Sequence, residues 1–158
     1  MFNIITNNSG EIHAEKIYSK IYPVGVTTVK FVYDNTLMLV GMDNGSIIVI
    51  KIFVTEKANV SRELVDEYCA IKAHKSKVLK ISMDTSSGYI FSIAKEGNFV
   101  ISEVNYHSVM KSIPISKSLM TGMHHIEAKG LILLSDDKGS LWVIDVSQPV
   151  YIYPYSHI

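Results

Sequence analysis

The sequence is short of almost everything that would point to chemistry. It holds one cysteine, Cys69, so no internal disulfide forms, and a lone thiol fits a reducing compartment. It holds one arginine, Arg62, which removes the paired guanidinium clamps that grip phosphates or carboxylates. Fifteen acidic residues balance fifteen basic ones, so the electrostatic footprint of a nucleic-acid binder or a polybasic membrane-surface protein is missing. No long hydrophobic run is present. The most apolar stretch, Ser46 to Val54, is interrupted by Lys51 and falls far short of the ~20 residues of a spanning helix. Residues 1–8 have neither a basic region nor an apolar core, so they do not read as a signal peptide. Without one, the Asn-x-Ser sequons at Asn7 and Asn59 read as chance matches. The expected setting is cytoplasmic, with no nucleic acid and no direct membrane insertion.

Helical periodicity is nearly absent as well. In its place stand short β-branched and apolar runs separated by turn residues, the pattern of strands and hairpins. With 47% apolar and 19% charged residues over 158 positions, the chain reads as one folded domain. Three segments align with one another. The first runs from Val26 through a turn at Asp34-Asn35, then Leu37 to Gly41, Asp43-Asn44-Gly45, and Ser46 to Ile52. The second runs from Val78 through Ser86-Ser87-Gly88, then Tyr89 to Ile93, Lys95-Glu96-Gly97, and Phe99 to Val104. The third runs from Leu119 through Ala128-Lys129-Gly130, then Leu131 to Ser135, Asp137-Lys138-Gly139, and Ser140 to Val146. Gly45, Gly97 and Gly139 recur because a tight hairpin turn needs positive φ. The 42-residue step from Gly97 to Gly139 fits one four-stranded repeat of ~40–45 residues. The longer step before it is explained by an insertion, roughly Val54 to Arg62, between third and fourth strands. Fourth strands are expected over 63–71, 106–115 and 150–153, and strands three and four of a preceding repeat over 2–6 and 10–18.

On this pattern, with Ala73-His74 and Ser156-His157 after fourth strands, the chain resembles the WD40-repeat family along nearly all its length. The resemblance implies an all-β, WD40-type β-propeller in a partial ring of three to three and a half blades. Its expected division is 1–22 half blade, 23–72 blade, 73–116 blade and 117–158 blade. The family's Trp-Asp pair is replaced by Ile50-Lys51, Ser102-Glu103 and Ile144-Asp145, so its Asp, His, Ser/Thr, Trp tetrad is incomplete in every blade. His74 with Ser92 is the most that survives, and Trp142 stands two residues early but on the core side. Gly45, Gly97, Gly139, His74, Ser92 and Trp142 are thus expected to be structural. Within the family, Ser9-Gly10-Glu11, Phe31 through Gly45, and Ala73-His74 after a long insertion are similar to the FYVE-and-WD-repeat proteins. The FYVE finger of those proteins binds phosphatidylinositol 3-phosphate through clustered Cys pairs, which this chain lacks.

Candidate sites are few. His124 and His125, adjacent on a strand, point to opposite faces and do not share a metal ion. Asp43, Asp136 and Asp137 sit at turns, where Asp bonds its own backbone. No Gly-rich phosphate loop, Cys-x-x-Cys pair or nucleophile motif occurs, so neither an enzyme nor a cofactor is expected. The paired arginines of phosphoinositide-binding propellers are absent. What remains is the rim of turns between strands two and three and of links between blades. In the family it is the usual place where peptides dock, and here it offers Asp43, Asn44, Lys75, Ser76, Lys95, Glu96, Lys117 and Asp137, with mixed charge. The tail Tyr151-Ile152-Tyr153-Pro154-Tyr155 reads as a fourth strand before it reads as an interaction edge.

An arc of blades leaves an apolar face and open edges towards solvent. Either the native chain is longer and supplies the rest of the ring, which is preferred, or two chains associate. Strand counting argues against the simplest pairing, since both N-termini would offer third and fourth strands. The expected role is a non-catalytic scaffold or adaptor that binds other proteins, in membrane trafficking. The alternative is an endosome-associated, phosphoinositide-directed effector whose FYVE module lies outside this chain.

Overall fold

Each apolar run forms a strand, and each Gly-, Asn- or Asp-bearing turn reverses the chain. The computed structural model describes the backbone of residues 2–6, 12–16, 19–57, 60–147 and 151–155, and the side chains of 19–53 and 65–147. Ser9-Gly10-Glu11, Asn7, Asn59 and Ser156-His157 lie outside the described residues. Strands β1 (Phe2–Thr6) and β2 (Ile12–Lys16) form an antiparallel pair. Three four-stranded antiparallel meanders follow. The first is β3 (Val26–Val32), β4 (Leu37–Met42), β5 (Ser46–Lys57) and β6 (Val60–Lys72). The second is β7 (Val78–Asp84), β8 (Tyr89–Ala94), β9 (Asn98–Glu103) and β10 (Ser108–Pro114). The third is β11 (Met120–Ile126), β12 (Leu131–Asp136), β13 (Leu141–Asp145) and β14 (Tyr151–Tyr155). The architecture is an all-β partial propeller ring.

The expected insertion at Val54 to Arg62 is not a loop. It prolongs β5 and β6 as a paired hairpin that runs to Lys57 opposite Val60.

Apolar residues on both faces of a strand explain why the runs do not alternate. In β4, Leu37 and Leu39 join Ile47, Val49 and Ile71 against Val78, Ile81, Met83 and Ile90 of the second sheet. Met38, Val40 and Met42 of the same strand face the other way, packed with Ile50, Ile52, Tyr22 and Val24. A second inter-sheet core joins Phe91, Ile93, Phe99 and Ile101 to Met120, Ile132, Leu134 and Ile144, with half-buried Trp142 packed against it. Phe91 and Phe99 stack within it at 6.0 Å between centroids. In the third sheet the alternation returns. Ile132 and Leu134 are buried while Leu131 and Leu133 are only partly covered, because among the described residues no further sheet packs on that face.

The repeats are joined by a recurring clasp at one end. The N–H that opens each turn between the second and third strands donates to the start of the first: Asp43 to Gly25, Lys95 to Lys77, Asp137 to Leu119. The turn glycine then accepts from the link that follows: Gly45 from His74, and Gly97 from Ile115 and Ser116. The glycines have φ of 86°, 80° and 83°, the left-handed region expected of them. Close approach adds a second constraint. A Cβ on Gly97 would lie 1.8 Å from the Ser116 carbonyl oxygen, and one on Gly45 would lie 2.3 Å from that of His74. A Cβ on Gly139 meets nothing within 4 Å among the described residues. Gly97→Ala is therefore expected to cost about 3 kcal/mol and Gly139→Ala about 1 kcal/mol, the strain of φ alone. Urea denaturation of both variants measures the difference; equal losses would show that the link does not press on the turn.

Candidate functional site

The clasp end of the arc brings together most of the side chains singled out above. The link from β6 to β7 passes His74 beneath the Lys95-Glu96-Gly97 turn of the second sheet. His74 Nε2 lies 2.8 Å from Ser92 Oγ in β8, and its Nδ1 lies 2.9 Å from Glu96 Oε1. Glu96 also accepts hydrogen bonds from the Ser76 hydroxyl and, at 3.3 Å, from the Lys75 N–H. Its own N–H donates to Ser76 Oγ at 3.0 Å. Glu96 thus occupies the acidic corner of the tetrad, a corner missed in the sequence because a glutamate stands where the family has aspartate. Three corners are filled. The fourth, Ser102, is fully buried, and its Oγ has no hydrogen-bond partner.

The Ser92-His74-Glu96 chain has the connectivity of a nucleophile, base and orienting carboxylate. Burial decides against that use. Ser92 is 0% exposed and His74 4%, so no substrate atom reaches the hydroxyl. Its role is to tie the link to the strand below it. Among the described residues, no group of three or more His, Cys, Asp and Glu is placed to hold a metal ion. His125 turns inward, edge-on to Phe91 at 5.1 Å and with Nδ1 3.2 Å from Ser82 Oγ, while His124 is exposed on the opposite face.

The third sheet repeats the device without histidine. Ser116, at the position of His74, donates to Asp136 Oδ2 at 2.9 Å, and Asp136 Oδ1 accepts the N–H groups of Lys138 and Ser140. In the first sheet, Asn44 Oδ1 accepts the Ser46 N–H, and the Asn44 carbonyl accepts from Lys72 Nζ. The acidic groups Glu96 and Asp136 are thereby committed to internal bonds. Both carboxyls stay below their ordinary range: burial opposes the charge, and the hydroxyl and N–H donors around each overcome it.

The surface of this end therefore differs from its composition. Asp43, Asn44, Lys75, Lys95, Lys117 and Asp137 are exposed, whereas Ser76 and Glu96 are half-buried in the network below. Lys72, Lys77 and Lys138, exposed on the same links and turns, were not picked out in the sequence because only the folded connection brings them to one rim. Lysines dominate it, and the exposed carboxylates are Asp43 and Asp137. The opposite end reverses the sign. Asp84 caps the turn after β7 by accepting Ser86 N–H and Oγ and Ser87 Oγ. Glu103 and Asp145 accept N–H groups of Asn105, Tyr106 and Ser147 in the turns after β9 and β13. Glu127 accepts from Thr85 N–H and Oγ1. Asp34 is exposed on the turn after β3. A chain of zero net charge is thus polar from end to end.

No protein-family model matches the sequence, and no curated protein is detectably similar to it. Solved structures do match. The C-terminal WD40 domain of Sif2 aligns at a TM-score of 0.66 and 13% identity, over 95% of this chain and 43% of that one. A chain of the mitotic checkpoint complex aligns at 0.64 and 14%, over 89% and 39%. The β-propeller domain of Cps50 (Swd1) from Myceliophteria thermophila aligns at 0.64 and 12%, over 85% and 41%. The chain has the WD40-type propeller fold and spans about two fifths of the length of these chains.

Burial holds His74 below the ordinary histidine value of 6.5, against the opposing pull of Glu96. Below that value the unfolded chain takes up a proton that the folded one resists, so stability is complete above it and falls as pH drops. Lowering the pH from about 7.5 to about 5.5 is expected to lower the melting midpoint, and His74→Gln is expected to flatten that slope while lowering the plateau. Thermal scans across pH test this; an unchanged slope in the variant would remove His74 as the cause. Ser102→Ala, which removes an unpaired buried hydroxyl, is expected to stabilise by about 1 kcal/mol in urea titrations.

Proposed function

We propose that the chain is a WD40-type interaction scaffold, an adaptor that holds an acidic segment of a partner protein on its lysine rim. The observation that carries this reading is the internal commitment of Glu96 and Asp136, which leaves Lys75, Lys77, Lys95, Lys117 and Lys138 as the dominant charges of the clasp end. The wider fold supports it, since the solved propellers it resembles include a member of a multiprotein complex. A protein ligand fits better than nucleic acid. Lysines interleaved with Asp43 and Asp137 do not make a continuous phosphate track, and the one arginine stands elsewhere in the chain. Leu119 and Leu141, 43% and 51% exposed beside these turns, offer apolar contact to a peptide. Binding is the reading we favour, because the Ser92-His74-Glu96 set is sealed in the core.

The setting we propose is membrane traffic, on the similarity of Phe31 through Gly45 and Ala73-His74 to the FYVE-and-WD-repeat proteins. A Cys-rich segment after Ile158 in the native reading frame would turn this adaptor into a lipid-directed endosomal effector.

Charge reversal tests the rim. Lys75→Glu, Lys95→Glu and Lys117→Glu together are expected to weaken capture of an acidic peptide at least about tenfold, and wild-type affinity is expected to fall as salt rises. Isothermal titration reads both. Equal affinity of wild type and the triple variant would sink the reading.

A further inference from the structure

At the end away from the clasp, a cleft of about 630 Å³ opens between the first and second sheets, within the size range of ligand-binding pockets. The adaptor role makes no use of it. Three rings of the first sheet line it, Tyr33, Phe53 and Tyr68, and they are 40%, 47% and 36% exposed. The facing wall is the turn at Gly88 with Val104 and Asn105. Among the described residues, Lys51 is the one charged side chain that lines it.

The aromatic wall is fixed before any ligand arrives. The turn after β3 carries three consecutive left-handed residues, Tyr33, Asp34 and Asn35, at φ of 49°, 50° and 67°. Such strain persists only where the surroundings enforce it. Here the Tyr33 hydroxyl donates to the Thr85 carbonyl of the second sheet at 2.7 Å, and Thr36 closes the turn with its N–H and Oγ1 on the Tyr33 carbonyl. Tyr68 is the extra residue of a β-bulge: the partner of β5 steps from Cys69 to Glu67 and leaves it out of register. Bulges re-aim side chains in this way. The Tyr68 ring packs in a T with His107 of the second sheet, 5.0 Å between centroids.

Lys51 decides the sign of the occupant. Its ammonium lies over the Tyr68 ring, 3.5 Å from the centroid, so it is held in place rather than free to swing into solvent. Among the described residues no carboxylate forms an ion pair with it. Asp66, opposite Lys51 in the strand register, and Asp34, beside Tyr33, are exposed and do not line the cleft. Asp84 and Glu103 are committed to the N–H and hydroxyl groups of their own turns. A half-buried ammonium without a counter-ion attracts an anion, and the cleft screens that attraction less than open solvent does. The rings beside it favour a planar apolar body. Asp34 and Asp66 repel a ligand with many negative charges, which sets this site apart from the lysine rim. We infer that the cleft binds a small aromatic monocarboxylate, with the carboxylate on Lys51 Nζ and the ring against Tyr33 and Phe53. Tyr68 is the positioning residue that holds the ammonium. The site stands or falls without the adaptor reading.

The test uses the full chain and three ligands with one ring system, naphthoate, naphthamide and naphthylmethylammonium, each followed by ligand-detected NMR titration. Naphthoate is expected to bind about tenfold more tightly than the amide, and the ammonium more weakly than either. Lys51→Met, which keeps the apolar stem, is expected to bring naphthoate down to the level of the amide while amide binding persists and shows the cleft intact. Lys51→Arg keeps the charge and is expected to keep the preference for the acid. Phe53→Ala is expected to weaken acid and amide alike, about fivefold. The triple lysine reversal at the rim is expected to leave naphthoate binding unchanged. Equal affinity for acid and amide, preference for the ammonium, absence of naphthoate binding, loss of the acid preference in Lys51→Arg, or loss of naphthoate binding in the rim variant would each overturn the inference. Loss of acidic-peptide binding in the rim variant bears only on the lysine rim.

Discussion

Everything in this arc depends on how closely one blade's link passes over the turn of the blade before it. The carbonyls of His74 and Ser116 lie where the Cβ atoms of Gly45 and Gly97 would be, and the glycine carbonyls accept the N–H groups of the same links. That approach sets the spacing between neighbouring sheets. At that spacing Leu39, Ile47 and Val49 meet Val78 and Ile90, and Phe91 and Phe99 meet Ile132 and Ile144. A bulkier turn would lift the link and open both cores. The glycines therefore act through packing as much as through their own dihedral freedom.

The tetrad shows the same economy at a different level. The second blade keeps histidine and serine and substitutes glutamate for the acid, and the longer side chain still reaches His74 while also accepting from Ser76 and Lys75. The third blade replaces the histidine arrangement with a single Ser116–Asp136 bond plus turn N–H donors. In the first, Asn44 and Lys72 close the turn. Degenerate repeats remain compatible with one architecture because the requirement is for a satisfied polar group under the link, and several side-chain sets meet it.

Those internal bonds also shape the surface. Glu96 and Asp136 are bonded internally at the clasp end, while at the other end Asp84, Glu127 and Asp145 cap or brace turns from half-buried or exposed positions and Glu103 does so from a buried one. The resulting separation of charge gives a neutral molecule two unlike faces. On the adaptor reading proposed above, the lysine-rich end is the one that attracts an acidic partner.

By itself the sequence determined the strands, the turn glycines, the repeat and the propeller class, because period-two runs, continuous apolar segments and positive-φ turns are local properties. His74 with Ser92 and the core side of Trp142 were expected only from the resemblance to the WD40-repeat family, and no local pattern marks them. The insertion was legible only as extra length; its prolonged pairing depends on β5 and β6 finding each other. Glu96 was read as a rim residue, since only the fold carries it over His74, twenty-two residues away. The left-handed run at Tyr33 and the bulge at Tyr68 were decided by tertiary structure alone. The first is tied to Thr85 of the next sheet and the second depends on how β5 and β6 pair, and neither leaves a local pattern to read.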